Sequence, residues 1–184
     1  LVNLLKKLNF DFYRGSEKNV LKRYLDASKK YNAKYIVRIT ADNPIIEPKI
    51  VDNVIKLFEK TKVDYCTNEN PPTFPQGLCA EVFSYKALLS SLNKARKETE
   101  IEHVTTIMKK SKKIKRSNLY SKKNLSNIRL SLDDQKDFVV IRKVFSYFEK
   151  NIHFSYFQLC KLIKEKPNLF KINSHLNKNV IRYY

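Results

Sequence analysis

The sequence predicts a three-layer α/β/α fold with a mostly parallel sheet, formed by a single domain over residues 1–184. Strand-like and helical patterns alternate along the whole chain, as in folds whose helices cover a parallel sheet. The segment Tyr35–Thr40 is β-branched and mostly apolar, which is typical of a buried central strand. A length of 184 residues with 42% hydrophobic residues suits one domain with a substantial core.

Each element follows from its local pattern. Apolar residues at helical spacing predict helices over residues 1–8, 17–31, 47–58, 85–95, 100–108, 134–148 and 155–164. Apolar, β-branched or alternating runs predict strands over residues 11–13, 35–40, 64–67, 80–84 and 128–132. Pro48 suits the first turn of its helix. Residues 68–77 hold three prolines and a glycine, which predicts a loop.

The net charge of +19 is the strongest compositional signal, with 37 Lys and Arg against 18 Asp and Glu. Such a chain attracts polyanions, including nucleic acids and nucleoside triphosphates. The lysines are spread along the chain, however, whereas a nucleic-acid module clusters basic residues with exposed aromatic side chains. Abundant Lys, Asn and Ile are also typical of AT-rich coding sequence. We therefore expect no specific nucleic-acid binding.

The cysteines and the apolar runs indicate the compartment. Cys66, Cys79 and Cys160 are far apart, and no pair has zinc-ligand spacing. We therefore expect reduced thiols in a cytoplasmic protein. No apolar run reaches the ~18 residues of a membrane span, so no membrane insertion is expected.

Carboxylates follow two of the predicted strands. Asp42 comes directly after Tyr35–Thr40, and Asp133 and Asp134 follow the strand at 128–132. Parallel strands deliver their carboxyl ends to a common edge, where such sheets bind ligands, so Asp42 and one of the pair are expected to converge. Carboxylates can hold Mg²⁺ together with substrate phosphates. The structural alternatives are an Asx turn or helix cap for Asp42, and a helix cap for one of the pair.

Five stretches in order carry a family resemblance. They are Arg14–Glu17 with Val20–Leu21 and Arg23–Tyr24, Ile36–Pro44, Pro75–Leu78 with Glu81–Ser84, Glu102–Thr105, and Arg129 with Ser131–Asp133. With these stretches the chain, from Leu1 to Asn173, resembles the cytidylyltransferases that activate acidic sugars, in particular the branch of spore-coat-type polysaccharide biosynthesis. The resemblance implies a fold like that of nucleotide-diphosphosugar transferases, which is Rossmann-like.

The resemblance also implies the reaction and the groups that serve it. CMP would pass from CTP to a sugar hydroxyl, with release of pyrophosphate. Asp42 would bind Mg²⁺, with Asp133 as the second carboxylate. The residues expected near the nucleotide are Arg14, Gly15, Ser16 and Arg38. The residues expected near the sugar are Gly77, Glu81, Glu102, His103 and Arg129.

Two further expectations keep an alternative beside them. His103 is a lone histidine in a predicted helix, so it is either a substrate contact or a partnered structural residue. The resemblance implies a homodimer built partly from the segment after Gly77. Its apolar residues Val82, Phe83 and Leu88 are either interface or ordinary core.

The chain departs from the family pattern in two places that matter. Nothing before Asp11 resembles the glycine-containing loop with Arg and Lys that cradles the triphosphate. We therefore expect a fragment of a longer protein or a truncated gene product, inactive by itself. Cys79 stands where many relatives carry an acidic residue, which leaves the sugar open. The alternatives are an enzyme specific for UTP or GTP, and a non-catalytic basic binding protein on a degenerate version of the fold.

Overall fold

A computed structural model describes residues 1–149 and 151–179 as a mixed α/β protein. The helices are α1 Val2–Lys7, α2 Val20–Lys30, α3 Pro48–Thr61, α4 Tyr85–Lys94, α5 Glu98–Glu102, α6 Thr106–Lys110, α7 Gln135–Tyr147 and α8 Tyr156–Glu165, with 3-10 helices at Pro167–Lys171 and Ser174–Asn179. The strands are β1 Tyr35–Arg38, β2 Tyr65–Thr67, β3 Glu81–Ser84 and β4 Arg116–Asn118. None of the helices in these ranges has the length and hydrophobicity to cross a membrane.

The predicted α/β class is confirmed, and the sheet that carries it is mixed. Its four strands lie in the order β1-β3-β2-β4. Strand β2 runs antiparallel to β3 and parallel to β4. The loop between β2 and β3 returns the chain as a neighbouring antiparallel strand, which the alternation of helical and strand patterns alone does not reveal.

The strand predicted to be central and buried lies at the edge of the sheet. Strand β1 is the first in the order β1-β3-β2-β4, and its residues Tyr35 and Val37 are exposed.

Three other predicted elements differ from the structure. Residues 11–13 form no strand; Asp11 is exposed, and Phe12 and Tyr13 are only partly buried. The predicted strand at 128–132 is an extended segment joined to Gln76 by an isolated bridge at Arg129. The predicted helix at 100–108 is two short helices, α5 and α6, with a turn at residues 103–105 between them.

The described chain contains two compact units, each assembled from separate stretches. The first unit contains residues 1–36 and 84–114. In it, α2 packs against α4 and α5, and α4 and α5 each pack against α6. Leu21, Leu25, Leu88, Val104 and Met108 are buried in this unit.

The second unit contains residues 37–83 and the described residues from 115 onward. Helix α3 packs against β2 and β4, with Val54 and Phe58 beside Cys66, Ala80 and Val82. A larger apolar cluster buries α7 and α8 against the loop and the extended segment before α7. Its members include Leu78, Leu130, Val140, Val144, Leu159 and Leu162. This burial fixes the backbone on which the candidate site is built.

Candidate functional site

The connection from β1 to α3 carries Asp42 in a turn. The amide of Asn43 donates to the carbonyl of Thr40 at 3.3 Å. Helix α3 is capped by Glu47, whose carboxylate accepts from the amide of Ile50 at 2.9 Å. Asp42 is therefore not the cap of α3. Its Oδ1 is buried without a hydrogen-bond partner in the described structure, so it makes no Asx turn through that atom.

The segment before Asp133 lies against the segment that carries Asp42. The amide of Leu132 donates to the carbonyl of Asp42 at 2.8 Å. Gln76 also holds this segment, because its amide donates to the carbonyl of Ile128 at 2.9 Å and its carbonyl accepts from the amide of Leu130 at 2.8 Å. The backbones of residues 42, 76 and 128–132 therefore meet, although they are distant in sequence.

Gly77 makes this approach possible. Its φ of +98° favours glycine, and a Cβ built on it would lie 2.4 Å from the carbonyl carbon of Leu130 and 2.6 Å from the amide of Ser131. Backbone atoms at such distances cannot move aside as a flexible side chain does. A residue that the family resemblance places near the sugar thus has a clear structural role as well.

A polar cavity of about 130 Å³ opens where these segments meet. It is lined by Arg38, Thr40, Asp42, Asn43, Glu69, Gln76, Gly77, Cys79 and Ser131. All nine residues belong to the second unit. The cavity thus collects hydroxyl, amide and carboxylate groups around one guanidinium, a set suited to a polar, charged ligand.

Arg38 reaches the cavity from a buried anchor. Its Nη1 donates to Oε2 of Glu81, whose side chain is fully buried, while 18% of the Arg38 side chain is exposed. The hydroxyl of Tyr65 donates to Oε1 of Glu81 at 2.6 Å. Burial and the neighbouring Glu81 raise the pKa of Tyr65 well above its ordinary value, so Tyr65 stays a protonated donor. Glu81 contacts Arg38 and Tyr65 and is not among the residues that line the cavity.

Asp133 is held through one oxygen. Its Oδ2 accepts from Nη2 of Arg129 at 2.6 Å and from the hydroxyl of Ser131 at 3.2 Å. Half of its side chain (51%) is exposed. Asp134 caps α7 and accepts from the amide of Lys136 at 2.8 Å. The capping alternative therefore applies to Asp134 and leaves Asp133 available to a ligand.

Arg129 is itself held by Asp137, which is fully buried. The guanidinium donates from Nε to Oδ1 at 2.9 Å and from Nη2 to Oδ2 at 2.8 Å. The hydrogen bonds that Arg129 donates to Asp137 raise the pKa of Arg129 against the effect of burial. Burial would raise the pKa of Asp137, but hydrogen bonds from Arg129 and Asn173 outweigh it and lower that pKa. Arg129 is 6% exposed, so its geometry suits positioning Asp133 better than touching a substrate.

Five of the predicted site residues lie in the first unit, where their roles stay predictions. Gly15 packs closely on the side chains of Arg23 and Tyr13. The carbonyl of Ser16 accepts from Arg23 at 2.8 Å and its hydroxyl accepts from the amide of Asn19 at 2.9 Å, so Ser16 supports the start of α2. Arg14 is exposed, Glu102 ends α5, and His103 is the C-cap of that helix.

The dimer residues named from the sequence are core. Val82, Phe83 and Leu88 each have 0% exposure within the single chain. Apolar residues in a short strand and in the helix after it give the same sequence pattern, whether a neighbouring helix or a second subunit covers them. These three residues therefore give no argument for an interface.

Several residues of the site escape sequence reasoning. Glu69 and Gln76 lie in a proline-rich loop whose path the sequence does not define, yet both line the cavity. Asp137 does carry a signal, since it completes a capping box with Asp134. Nothing in the sequence indicates that the same carboxylate also pairs with Arg129. The contact of Asn173 with Asp137 can be found only from the fold.

The carboxylates of the site suit a metal ion that is shared with a substrate. Within residues 1–149 and 151–179, no three His, Cys, Asp or Glu side chains gather as a protein-only metal site. The unpartnered Oδ1 of Asp42 and the half-exposed carboxylate of Asp133 fit the other arrangement, in which Mg²⁺ takes one or two carboxylates plus substrate phosphates.

Comparison with known proteins identifies the family. A family model described as cytidylyltransferase matches residues 2–177. The uncharacterised protein MJ1063 of Methanocaldococcus jannaschii is 31% identical over 190 residues, covering 99% of this chain and 74% of that protein. The spore coat polysaccharide biosynthesis protein SpsF of Bacillus subtilis is 26% identical over 166 residues, covering 88% of this chain and 68% of that protein.

A solved structure gives the same result. A cytidylyltransferase from Leptospira borgpetersenii serovar Hardjo-bovis superposes with a TM-score of 0.86 and 31% identity, covering 92% of this chain and 72% of that one. The resemblance, the fold and the prediction of an enzyme are thereby confirmed. The chain belongs to the cytidylyltransferase family, whose members are enzymes that transfer a cytidylyl group.

Proposed function

We propose that the protein transfers CMP from CTP to a hydroxyl of a sugar and releases pyrophosphate, in the synthesis of precursors for a surface polysaccharide or glycan. The similarity to the SpsF protein of Bacillus subtilis supports the polysaccharide context. An acidic keto-sugar is the proposed acceptor, because the guanidinium of Arg38 in the cavity can bind a carboxylate. Cys66, Cys79 and Cys160 form no disulfide with one another, which suits the cytoplasm.

The observation that carries the proposal is the unpartnered Oδ1 of Asp42 beside the cavity. A buried carboxylate oxygen without a partner is costly, and such groups mark sites where an ion or ligand completes the structure. We assign Asp42 and Asp133 as the protein ligands of Mg²⁺. When bound, this ion would stabilise the negative charge that develops on the phosphate oxygens.

The chain's own residues orient the reactants. Arg38 would bind a phosphate oxygen or the sugar carboxylate, and the buried Glu81 and Tyr65 would hold its guanidinium in place. Thr40, Asn43 and Ser131 offer hydroxyl and amide groups that can fix the acceptor. Phosphoryl transfer of this kind depends on positioning and electrostatic stabilisation, so it needs no nucleophilic side chain.

The test is release of pyrophosphate by the full-length protein. We expect turnover with CTP, Mg²⁺ and an acidic keto-sugar, and little with UTP or GTP. Asp42→Asn should lower turnover by about 10²-fold or more, since oriented electrostatic groups typically contribute that much. Asp52→Asn is the matched control, because Asp52 is an exposed carboxylate on α3. An Asp42→Asn enzyme as active as the control would refute the role of Asp42.

We further propose that the protein acts as a homodimer. The proposal comes from the family alone, since the apolar residues first named for it are core. Sedimentation of the full-length protein at micromolar concentration tests it. A single species with the mass of one chain would refute it.

A further inference from the structure

The carboxylate of Asp137 is the most heavily hydrogen-bonded side chain near the site. Its Oδ2 accepts from Arg129 at 2.8 Å and from the amides of Asp133 and Asp134 at 3.1 Å. Its Oδ1 accepts from Arg129 at 2.9 Å and from the side chain of Asn173 at 2.8 Å. A capping box needs only one of these contacts, the bond from the amide of Asp134, so helix capping does not account for the arrangement.

Both side chains that hold Asp137 are also buried. Asn173 has 0% exposure, and its amide nitrogen donates a second hydrogen bond to the carbonyl of Arg129 at 3.1 Å. Asn173 thus clamps the Arg129–Asp137 pair from the 3-10 region that follows α8. A pair fixed from both ends has one arrangement rather than several.

This fixed pair determines how Asp133 is presented. Nη2 of Arg129 donates to Asp137 and to Asp133, so one guanidinium nitrogen links the buried carboxylate to the exposed one. Both side-chain contacts of Asp133 fall on Oδ2. Its Oδ1 accepts no hydrogen bond from the part of the chain that the structure describes. The carboxylate is therefore anchored through one oxygen and offers the other.

The charges give the buried carboxylate a second role. Arg129 alone beside Asp133 would neutralise it and would compete with any cation for its oxygens. With Asp137 included, the three side chains keep one net negative charge. Asp42 is next to this group in the backbone, since its carbonyl accepts from the amide of Leu132. With Asp42 included, the group has two net negative charges, which matches a divalent cation.

We propose that Asp137 is a positioning residue for divalent-metal binding. It neutralises Arg129 and fixes that guanidinium, so that Asp133 is held by one oxygen and stays anionic toward the cation. The proposal rests on the proposed function, because it takes Asp133 as a metal ligand. Buried partners of metal ligands typically contribute 10- to 100-fold in metal affinity or activity.

The test measures binding of Mn²⁺ to the full-length protein, with and without CTP, by electron paramagnetic resonance. Asp137→Asn should weaken Mn²⁺ binding by about 10- to 100-fold and shift the Mg²⁺ dependence of turnover by a similar factor. The control is Asp134→Ala, which removes the neighbouring helix cap without touching Arg129. A purely structural role would lower stability in both variants and leave the affinity of folded protein for Mn²⁺ unchanged.

A gentler variant covers the case in which Asp137→Asn does not fold. Asn173→Ala removes one hydrogen bond from the same carboxylate and should weaken Mn²⁺ binding in the same direction, by less. Unchanged Mn²⁺ affinity in whichever of these variants folds, together with weakened affinity in Asp133→Asn, would overturn the inference and leave the proposed function standing. Unchanged affinity in Asp133→Asn itself would overturn both.

Discussion

Two arginine–carboxylate pairs in the second unit share a design and differ in the charge they present. In the first, Glu81 is fully buried and Arg38 reaches the cavity with 18% of its side chain exposed. In the second, Asp137 is fully buried and pairs with Arg129, whose side chain is 7% exposed. Arg129 also donates to the half-exposed Asp133. The first pair therefore presents the guanidinium of Arg38, and the second presents the carboxylate of Asp133.

The difference shows what a buried ion pair contributes here. Pairs of this kind gain little net stability, because desolvation of both charges offsets their attraction. Their value is in the group that they hold at the surface. Arg38 is held directly by its buried carboxylate, whereas Asp133 is held through Arg129, which is itself buried.

The largest expected effect comes from the backbone next to the second pair. Gly77→Ala would place a Cβ 2.4 Å from the carbonyl carbon of Leu130, next to Arg129, at a φ of +98°. Strained φ and overpacking together should lower the free energy of unfolding by about 3 kcal/mol or more, measured by urea denaturation. Gly15→Ala is the control, because its closest contact is the flexible side chain of Arg23. Equal losses in the two variants would show that the approach to Leu130 relaxes easily.

The next effect separates the two arginines by kinetics. Arg38→Met should raise the KM of the sugar or nucleotide by about 10- to 100-fold, the worth of a hydrogen bond to a charged group, without changing the Mg²⁺ dependence. Arg129→Met should shift the Mg²⁺ dependence instead. Arg142→Met, an exposed arginine of α7, should change neither. If Arg38→Met moved the Mg²⁺ dependence as far as Arg129→Met, the two pairs would not have separate roles.

A smaller effect tests how the first pair is anchored. Tyr65→Phe removes the hydroxyl that donates to Glu81 at 2.6 Å, and should lower the free energy of unfolding by about 1.5–3 kcal/mol. Because the pKa of Tyr65 is raised above the ordinary value of 10.0, this contribution is present below that pH and declines as the pH rises above it. Denaturation on both sides of pH 10.0 should show the gap between variant and wild type narrowing. A gap that widened with pH would contradict the assigned anchor.

The sequence identifies much of the fold because its elements are locally consistent. The β-branched run at Tyr35 became β1, and the apolar spacing after Pro48 became α3. It also indicates Asp42 and Arg38, since residues at the carboxyl end of a strand reach the ligand edge of the sheet. Strand β4 was missed because Arg116–Asn118 is polar and only three residues long. Its pairing with Tyr65–Thr67 is a long-range contact that no local pattern encodes.

The rest of the site depends on such long-range contacts. Glu69 and Gln76 lie in an irregular loop, so their approach to the cavity is set by packing rather than by periodicity. Glu81 was predicted to border the sugar, yet its carboxylate is buried against Arg38 and Tyr65. The face of the sheet to which a strand residue points can be predicted only when the register is known, because a shift of one residue moves the side chain to the opposite face.

A local effect, confined to one pair of strands, uses Cys66 as a reporter on the first pair. Cys66 follows Tyr65 in β2 and pairs with Val82, next to Glu81. It is fully buried, and burial raises the pKa of its thiol to about 11. Iodoacetamide should therefore label native Cys66 about 10²-fold or more slowly than Cys79, which lines the cavity. Mass spectrometry of labelled peptides measures both rates.

The same labelling distinguishes the two pairs when each loses a charge. Glu81→Gln weakens the contacts that join β2 to β3, so opening of these strands, and with it labelling of Cys66, should accelerate. Asp137→Asn leaves that strand pair intact and should not change the rate for Cys66. Cys79 serves as the internal control, since its labelling requires no strand opening, and saturating CTP and sugar should slow it. Acceleration of Cys66 labelling by Asp137→Asn would mean that the two pairs open together as one cooperative region.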